Sequence, residues 1–433
     1  MTNFIKQIVH KSFILSAVVS PSSRITATKF NSFKKVAIKE FGALTTSSTC
    51  RNAQPHTFNV LKDVMEHDTS SPSFMKMPIQ LPNGEQGLLA KGELGEAVKD
   101  LPLYDIKDIS DQRLLSALFR DYTFLASAYL LEPCDIMFRE KKDYGLGRQI
   151  LPKNIAVPLV EISKKLSAFP FMEYALSYSL YNYRRVDPSK PIVYSNLNLI
   201  REFSGILSEK GFILVHVTMV ANSPSLVRWT METLDSVEKN DRTRFNNSLS
   251  KLNETMTLIN TEMKTMWERS NPDDYLKFRE SGANDSMIPC MDNLLQITSK
   301  LPKNPLTEAK FLDFVQRRAE EVNDANTLYL ANLDKIIAFR YRHWNFTKEY
   351  IIKNTTHPVA TGGSPIVTWL PNQLLTILEQ MSQIYKTIDY SQLTPENKIL
   401  IDELIAKANN KKRVLNGDVK ILKEKFSPES QKL

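Results

Sequence analysis

The 433-residue chain contains few residues of several types, and each shortage excludes a class of structure or function. Its three cysteines, Cys50, Cys134 and Cys290, are far apart and odd in number. They therefore form neither a disulfide framework nor a CxxC metal site, and a reducing compartment is expected. Only thirteen glycines occur, and long stretches lack β-branched alternation, which favours a mainly helical protein.

Long apolar runs and familiar catalytic motifs are also missing. No run approaches the roughly 18 to 20 apolar residues that a membrane span needs, so we expect no membrane span. The net charge is +8, but the lysines are scattered and no stripe of aromatics accompanies them, so we expect no nucleic-acid partner. No HExxH, GxSxG, P-loop or glycine-rich dinucleotide pattern is present, so zinc hydrolases, serine esterases, nucleotidases and dehydrogenases have no support.

Residues 1–55 differ in composition from the rest of the chain. Seven lysines and arginines precede Glu40, the first acidic residue, with serine and threonine between them. This composition is typical of a disordered extension, an organelle presequence or a cleaved signal, and all three stay open. We expect a cytoplasmic protein, with organelle targeting through this extension as the alternative.

After Pro55 the pattern becomes globular. It predicts a small helical domain over residues 56–205, a larger helical domain over 206–409 and a charged tail over 410–433. Apolar periodicity predicts five of the helices, at 111–131, from Pro158 to about Ala168, at 171–186, at 239–270 and at 325–352.

The segment FRYRHWNFTKEYI, residues 339–351, carries one of only six histidines in the chain. Arg340 and His343 are three residues apart and share one face of the predicted helix. An imidazole one turn from a guanidinium is what a haem site needs, a nitrogen for iron and a cation for a propionate. A single histidine on an apolar face is more often packed in a core, so the residues alone leave both interpretations open.

A second histidine, His216, lies in the apolar segment GFILVHVTMV, one turn after Phe212. Two histidines on two apolar helices have the pattern of residues that bracket a planar cofactor. Core packing is the simpler interpretation of His216 taken alone.

Five blocks in order resemble the indoleamine 2,3-dioxygenase family of haem enzymes over roughly residues 100–370. They are LPKNIAVPLVEISKKL with YALS and DPSKPIVYSNL, then KGFILVHV, CMDNLL, RYRHWNFTKEYI and ATGGS. The resemblance implies a mainly α, two-domain, all-helical fold with haem b in the larger C-terminal domain. It also implies insertion of O2 across the C2–C3 bond of tryptophan or a related indole, giving an N-formylkynurenine-type product of tryptophan catabolism.

The resemblance assigns roles on the cofactor side residue by residue. It makes His343 the proximal ligand of the haem iron. Asp292 and its partner Arg340 correspond to a polar network near the propionates, and Gly282 to the segment at the haem edge. Hydrogen bonding behind a metal-bound histidine orients its ring, which gives such groups a physical role.

On the substrate side, Phe212 corresponds to an aromatic residue that packs on the indole, and Ser177 to a small residue that lines the distal pocket. The loop that closes over the substrate corresponds to Thr361, Gly362, Gly363 and Ser364. Arg279 is the nearby candidate for the arginine that clamps the substrate carboxylate, with an exposed arginine at a helix end as the alternative.

The sequence departs from the family pattern in three places. His216 stands where typical members have serine, and it either hydrogen-bonds bound oxygen or substrate, or binds the iron itself. About thirty residues of the family pattern are missing after Arg279. The segment between Asp292 and His343 is short and lacks the family's Tyr-Met-Pro-x-x-His-Arg block.

The resemblance also implies partners. They are a small-molecule indole substrate, O2 and an electron donor that keeps the iron ferrous, and we expect a monomer. The alternatives are a family relative that performs a different indole oxidation and a non-catalytic haem or oxygen-binding protein.

Overall fold

The computed structural model describes residues 88–141, 146–179, 181–271, 287–295, 297, 323–354 and 366–426. Within these ranges the predicted mainly helical fold is confirmed. The α-helices there are α1 (Leu88–Lys91), α2 (Leu94–Ala97), α3 (Gln112–Lys141), α4 (Lys153–Leu166), α5 (Leu207–Val220), α6 (Ser223–Glu238), α7 (Arg242–Lys264), α8 (Met266–Arg269), α9 (Met287–Leu294), α10 (Asn323–Tyr350), α11 (Ile366–Thr387) and α12 (Pro395–Lys425).

Shorter elements connect these helices. A π-helical turn spans Tyr174–Ser179, and 3₁₀ turns span Val98–Asp100, Tyr194–Asn196, Ile352–Asn354 and Tyr390–Gln392. Strands β1 (Tyr183–Arg185) and β2 (Leu197–Leu199) pair antiparallel, with Tyr183 opposite Leu199. This small sheet is a minor departure from the all-helical expectation.

The described residues belong to two compact units. Unit 1 contains the described residues up to Thr218 together with Thr265–Asn271, and unit 2 contains Met219–Lys264 together with the described residues from Met287 onward. Because each unit combines separate parts of the chain, the division does not test the predicted domain limits at 205 and 409. Those limits stay a prediction.

The core of unit 1 forms where α3 packs on α4 and on the π-helical turn. On α3, Leu115, Phe119 and Tyr122 recur at spacings of three and four residues and are at most 1% exposed. This spacing places them on one stripe of the helix, so the helix predicted over 111–131 is confirmed. Ile155 and Ile162 of α4 are fully buried in the same core.

Two predicted helices of unit 1 have different limits in the structure. Helix α4 begins at Lys153, with Pro152 as its N-cap, so Pro158 lies inside the helix instead of starting it. The helix expected over 171–186 is reduced to the π-helical turn, followed by β1. The hydroxyl of Ser177 donates to the carbonyl oxygen of Glu173, just before this turn, and the hydroxyl of Ser179 donates to that of Tyr174 within it. Such side-chain bonds compete with a regular helix.

In unit 2, α7 packs between α6 and α10, and α10 also contacts α11 and α12. The predicted stripe on α7 is confirmed, because Phe245, Leu249, Leu252 and Met256 are fully buried. Helix α10 confirms the helix predicted over 325–352. Residues 410–425, part of the predicted charged tail, continue α12, and Leu415 within them is fully buried.

Across the described ranges, no helix combines the length and apolar character that crossing a bilayer requires.

Candidate functional site

A close backbone approach sets the position of α5 in unit 1. A Cβ atom on Gly211 would lie 1.7 Å from the carbonyl oxygen of Arg269, at the end of α8. Only glycine permits this approach, because any other residue would force the two backbones apart. On α5, Phe212 directly follows Gly211, and His216 lies one turn after Phe212.

His216 is nearly buried, with 8% of its surface exposed. Its ring lies 4.7 Å from the ring of Phe212 and 5.7 Å from that of Tyr174, which meets it edge-on. The Nδ1 atom lies 2.7 Å from the carbonyl oxygen of Phe212. A carbonyl oxygen can only accept a hydrogen bond, so Nδ1 must carry the proton.

The protonation state of His216 follows from this geometry. Burial lowers the pKa of His216, while the bond to the Phe212 carbonyl acts in the opposite direction. The imidazole is therefore neutral at pH 7. Because Nδ1 holds its one proton, Nε2 carries a lone pair that can accept a hydrogen bond or bind a metal.

Ser177 lies in the π-helical turn with Tyr174 and is fully buried. Its hydroxyl donates to the carbonyl oxygen of Glu173 at 2.8 Å and accepts from the amide of the same residue at 3.0 Å. The hydroxyl is thus engaged with the backbone. The predicted role of Ser177, which rests on its small size, stays a prediction.

In unit 2, α10 presents His343 one turn after Arg340. The His343 side chain is half-buried. The guanidinium of Arg340 donates to Oδ2 of Asp292, and the two side chains are only 11% and 8% exposed. Asp292 comes from α9, so the pair also joins two helices.

The carboxyl group of Asp292 retains capacity for one more contact. Burial raises its pKa, and the neighbouring Arg340 opposes that effect. Its Oδ1 atom is buried and has no hydrogen-bond partner among the described residues. A buried acceptor of this kind is costly when left unsatisfied, so it marks a place where a further donor would be stabilising.

These residues of unit 2 fit a haem group. Phe339 and Phe346, one turn to either side of His343, are each 9% exposed and line the same face of α10. That face offers an imidazole for iron among aromatic side chains. Arg340 offers a cation for a propionate, and Asp292 holds the guanidinium.

The structure thus brings together two groups of predicted residues, one in each unit. Phe212 and His216 are in contact in unit 1, where Ser177 shares a turn with Tyr174. Asp292 and Arg340 are in contact in unit 2, one turn from His343. The other predicted site residues, Arg279, Gly282, Thr361, Gly362, Gly363 and Ser364, lie outside the described residues. The site roles themselves stay predictions.

Sequence reasoning missed one residue in the first group. Tyr174 was not singled out, although it begins the YALS stretch that carries part of the resemblance. Its edge-on contact with His216 depends on a fold that joins residues 42 positions apart in the chain, which periodicity does not reveal.

A family model described as indoleamine 2,3-dioxygenase matches residues 19–280. This is more than half of the 433-residue chain, and the chain therefore belongs to the indoleamine 2,3-dioxygenase family. The matched range includes Ser177, Phe212 and His216. Asp292, Arg340 and His343 lie beyond it, so their support comes from the geometry of unit 2.

Individual relatives agree with the family. The chain is 29% identical to indoleamine 2,3-dioxygenase 1 of Mus musculus over 190 residues, which is 43% of this chain and 44% of the mouse protein. It is 28% identical to the Rattus norvegicus protein of that name over 190 residues, with the same coverage. It is 24% identical to indoleamine 2,3-dioxygenase 2 of Mus musculus over 203 residues, 46% of each chain. The matches thus span less than half the length of these relatives.

Proposed function

We propose that this protein is a haem-dependent dioxygenase that acts on tryptophan or a related indole. Both atoms of O2 enter the product, the C2–C3 bond of the indole breaks, and each of its two carbons gains one carbonyl oxygen. The product is of the N-formylkynurenine type. Since both oxygen atoms are retained, the net reaction consumes no electrons, and a donor is needed only to keep the iron ferrous.

One observation carries the proposal beyond family membership. Arg340 lies one turn before His343 on the same face of α10 and forms a buried ion pair with Asp292 of α9. A guanidinium held by a carboxylate in a buried setting is costly to maintain for stability alone, because both ions lose their hydration. The arrangement is better explained by a second anion that the guanidinium must meet, such as a haem propionate.

The residues of unit 2 have distinct roles in the proposal. His343 binds the iron through its imidazole, Arg340 pairs with a propionate, and Asp292 orients the guanidinium. The bound haem would supply the activation of O2. Phe339 and Phe346 keep water from the face of α10 that carries His343, because their side chains are almost fully buried.

His216 and Phe212 act on the substrate in this proposal. The lone pair on Nε2 of His216 accepts the indole N–H, and the Phe212 ring offers an aromatic surface for the indole. A neutral imidazole suits this task, because an imidazolium has no acceptor nitrogen. Burial favours this neutral form.

The first test measures haem binding. The purified protein is titrated with haem and followed by its absorption spectrum in the oxidised, reduced and CO-bound states. His343→Ala should lose most of its haem, whereas Asn345→Ala should keep it, because residue 345 lies about 200° around the helix from His343. Full haem retention by His343→Ala contradicts the assignment of the iron ligand.

The second test identifies the product by mass. The haem-loaded protein is incubated with tryptophan, a chemical reductant and ¹⁸O2, and the proposal expects a product that has gained two labelled oxygen atoms. Gain of one oxygen atom would instead support a different indole oxidation. Haem binding without any product from tryptophan or simple indoles would support a non-catalytic haem protein.

A further inference from the structure

The residue directly after His343 is held by α12. Trp344 is fully buried, and its Nε1 donates to Oδ2 of Asp418 on α12 at 3.0 Å. Lys348, one turn further along α10, donates to the same oxygen at 2.6 Å. Asp418 thus binds two residues of α10 at once, and the ammonium group of Lys348 offsets its charge.

The residue directly before His343 is held from another direction. Arg342 donates through Nη1 to Oδ1 of Asn260 on α7 at 2.7 Å. The amide group of Asn260 is itself fixed, because its Nδ2 donates to the carbonyl oxygens of Met256 and Lys335 at 2.8 and 3.1 Å. Asn260 is only 8% exposed, so these bonds are shielded from water.

These two contacts restrain rotation of α10 about its axis. Successive residues of an α-helix are about 100° apart, so Arg342 and Trp344 project on opposite sides of His343. A rotation in either sense would pull one of the two from its partner. A buried polar group that loses its hydrogen-bond partner is costly, so the helix is held in one rotational position about its axis.

We propose that Asp418 and Asn260 are positioning residues that fix the direction in which α10 presents the imidazole of His343. This inference rests on the proposed function, in which His343 binds the haem iron. Asp418 lies 75 residues beyond His343 in the sequence and acts only through Trp344 and Lys348. Helix α12 then helps to orient the residue that binds the iron.

The chain offers a matched control on the same pair of helices. Asp334 of α10 accepts from Lys407 and Lys411 of α12 at 2.7 and 3.4 Å. Its removal also weakens the contact between α10 and α12. It lies nine residues, about two and a half turns, before His343, so it should leave the imidazole where it is.

The test uses resonance Raman spectroscopy of the ferrous haem-loaded protein, which reports the iron–imidazole stretching band. Asp418→Ala and Asn260→Ala should shift and broaden this band, because the imidazole adopts several orientations. Asp334→Ala should leave it unchanged. Trp344→Phe keeps an aromatic ring but removes the N–H that donates to Asp418, so it should give a smaller shift. This variant tests the same contact if Asp418→Ala does not fold.

The possible results distinguish failure of this inference from failure of the proposed function. If the Asp418, Asn260 and Trp344 variants show the same band as the wild-type protein, the positioning role is overturned. The proposed function is unaffected by that result. An equal shift in Asp334→Ala also overturns it, since any loosening of the helices would then suffice. Absence of an iron–imidazole band from the wild-type protein would overturn the proposed function and the inference with it.

Discussion

The two candidate histidines, one in each unit, are held in different ways. In unit 1, His216 is surrounded by the rings of Phe212 and Tyr174 and bonds to a carbonyl of its own helix. In unit 2, His343 is one turn from a buried ion pair, and the residues on either side of it bond to other helices. The first imidazole is held by aromatic rings and a backbone carbonyl, whereas the helix of the second is held by charged and polar contacts between distant segments.

This difference matches the two proposed tasks. A group that accepts a hydrogen bond from an indole must stay neutral, and burial among aromatic rings achieves that without a partner charge. A group that binds iron must be oriented. Hydrogen bonds from the residues on either side of it orient its helix more strictly than apolar packing does. The contrast predicts that the two units respond differently to substitution.

The largest effect is expected from breaking the charged contact of unit 2. Asp292→Ala leaves the guanidinium of Arg340 buried without this carboxylate, and the free energy of unfolding should fall by about 3–5 kcal/mol. Denaturation in urea measures the loss. The double variant Asp292→Leu with Arg340→Met should recover much of it, since an apolar pair replaces the ions. A loss below about 1 kcal/mol for Asp292→Ala would show that water already solvates Arg340.

A smaller effect is expected from the backbone approach that supports unit 1. In Gly211→Ala the new methyl group meets the carbonyl oxygen of Arg269, and overpacking of this kind costs about 1–3 kcal/mol. Gly417→Ala is the control, because no atom lies within 4 Å of its added Cβ, and alanine inside a helix should stabilise by about 0.5–1 kcal/mol. Thermal unfolding compares the two variants. Equal stability of Gly211→Ala and wild type would contradict the close approach.

The smallest effect is a pH dependence that belongs to unit 1. Burial lowers the pKa of His216, so near and below the unfolded-state pKa of about 6.5 the unfolded chain binds a proton that the folded protein does not. Stability should therefore fall on acidification through that range, by at most about 1.4 kcal/mol per pH unit for one proton. Urea denaturation between pH 7.5 and 5 tests this against His216→Phe, which should have a shallower slope. Identical slopes would show that His216 keeps an ordinary pKa when folded.

Much of the helical architecture was predictable from local pattern. The stripes on α3, α7 and α10 follow three- and four-residue spacing, and burial of those residues needs no knowledge of their partners. The prediction was wrong where side chains compete with the helix, as Ser177 and Ser179 do in the π-helical turn. The pattern also did not reveal that α12 continues over residues 410–425, because the charge of this segment conceals Leu415, which is fully buried.

The two groups of candidate residues, one in each unit, were predictable in part. Arg340 and His343 share a face because their spacing is helical, and Phe212 and His216 do so for the same reason. Resemblance, not spacing, linked Asp292 to Arg340 across 48 residues, and the structure shows their contact. Neither spacing nor resemblance pointed to Tyr174, Asn260 or Asp418.

The sequence by itself determined most of the helices, the resemblance to the family, and that Arg340 and His343 share one helix face, since these depend on the order of neighbouring residues. The tertiary structure decided which polar groups meet. It placed Asp418 on Trp344 and Asn260 on Arg342, and it packed the rings of Phe212 and Tyr174 against His216. Such contacts join segments far apart in the chain, and their energies arise from burial, which exists only after folding. For this reason the role proposed for His343 could be predicted from the sequence, whereas the contacts that hold its helix could not.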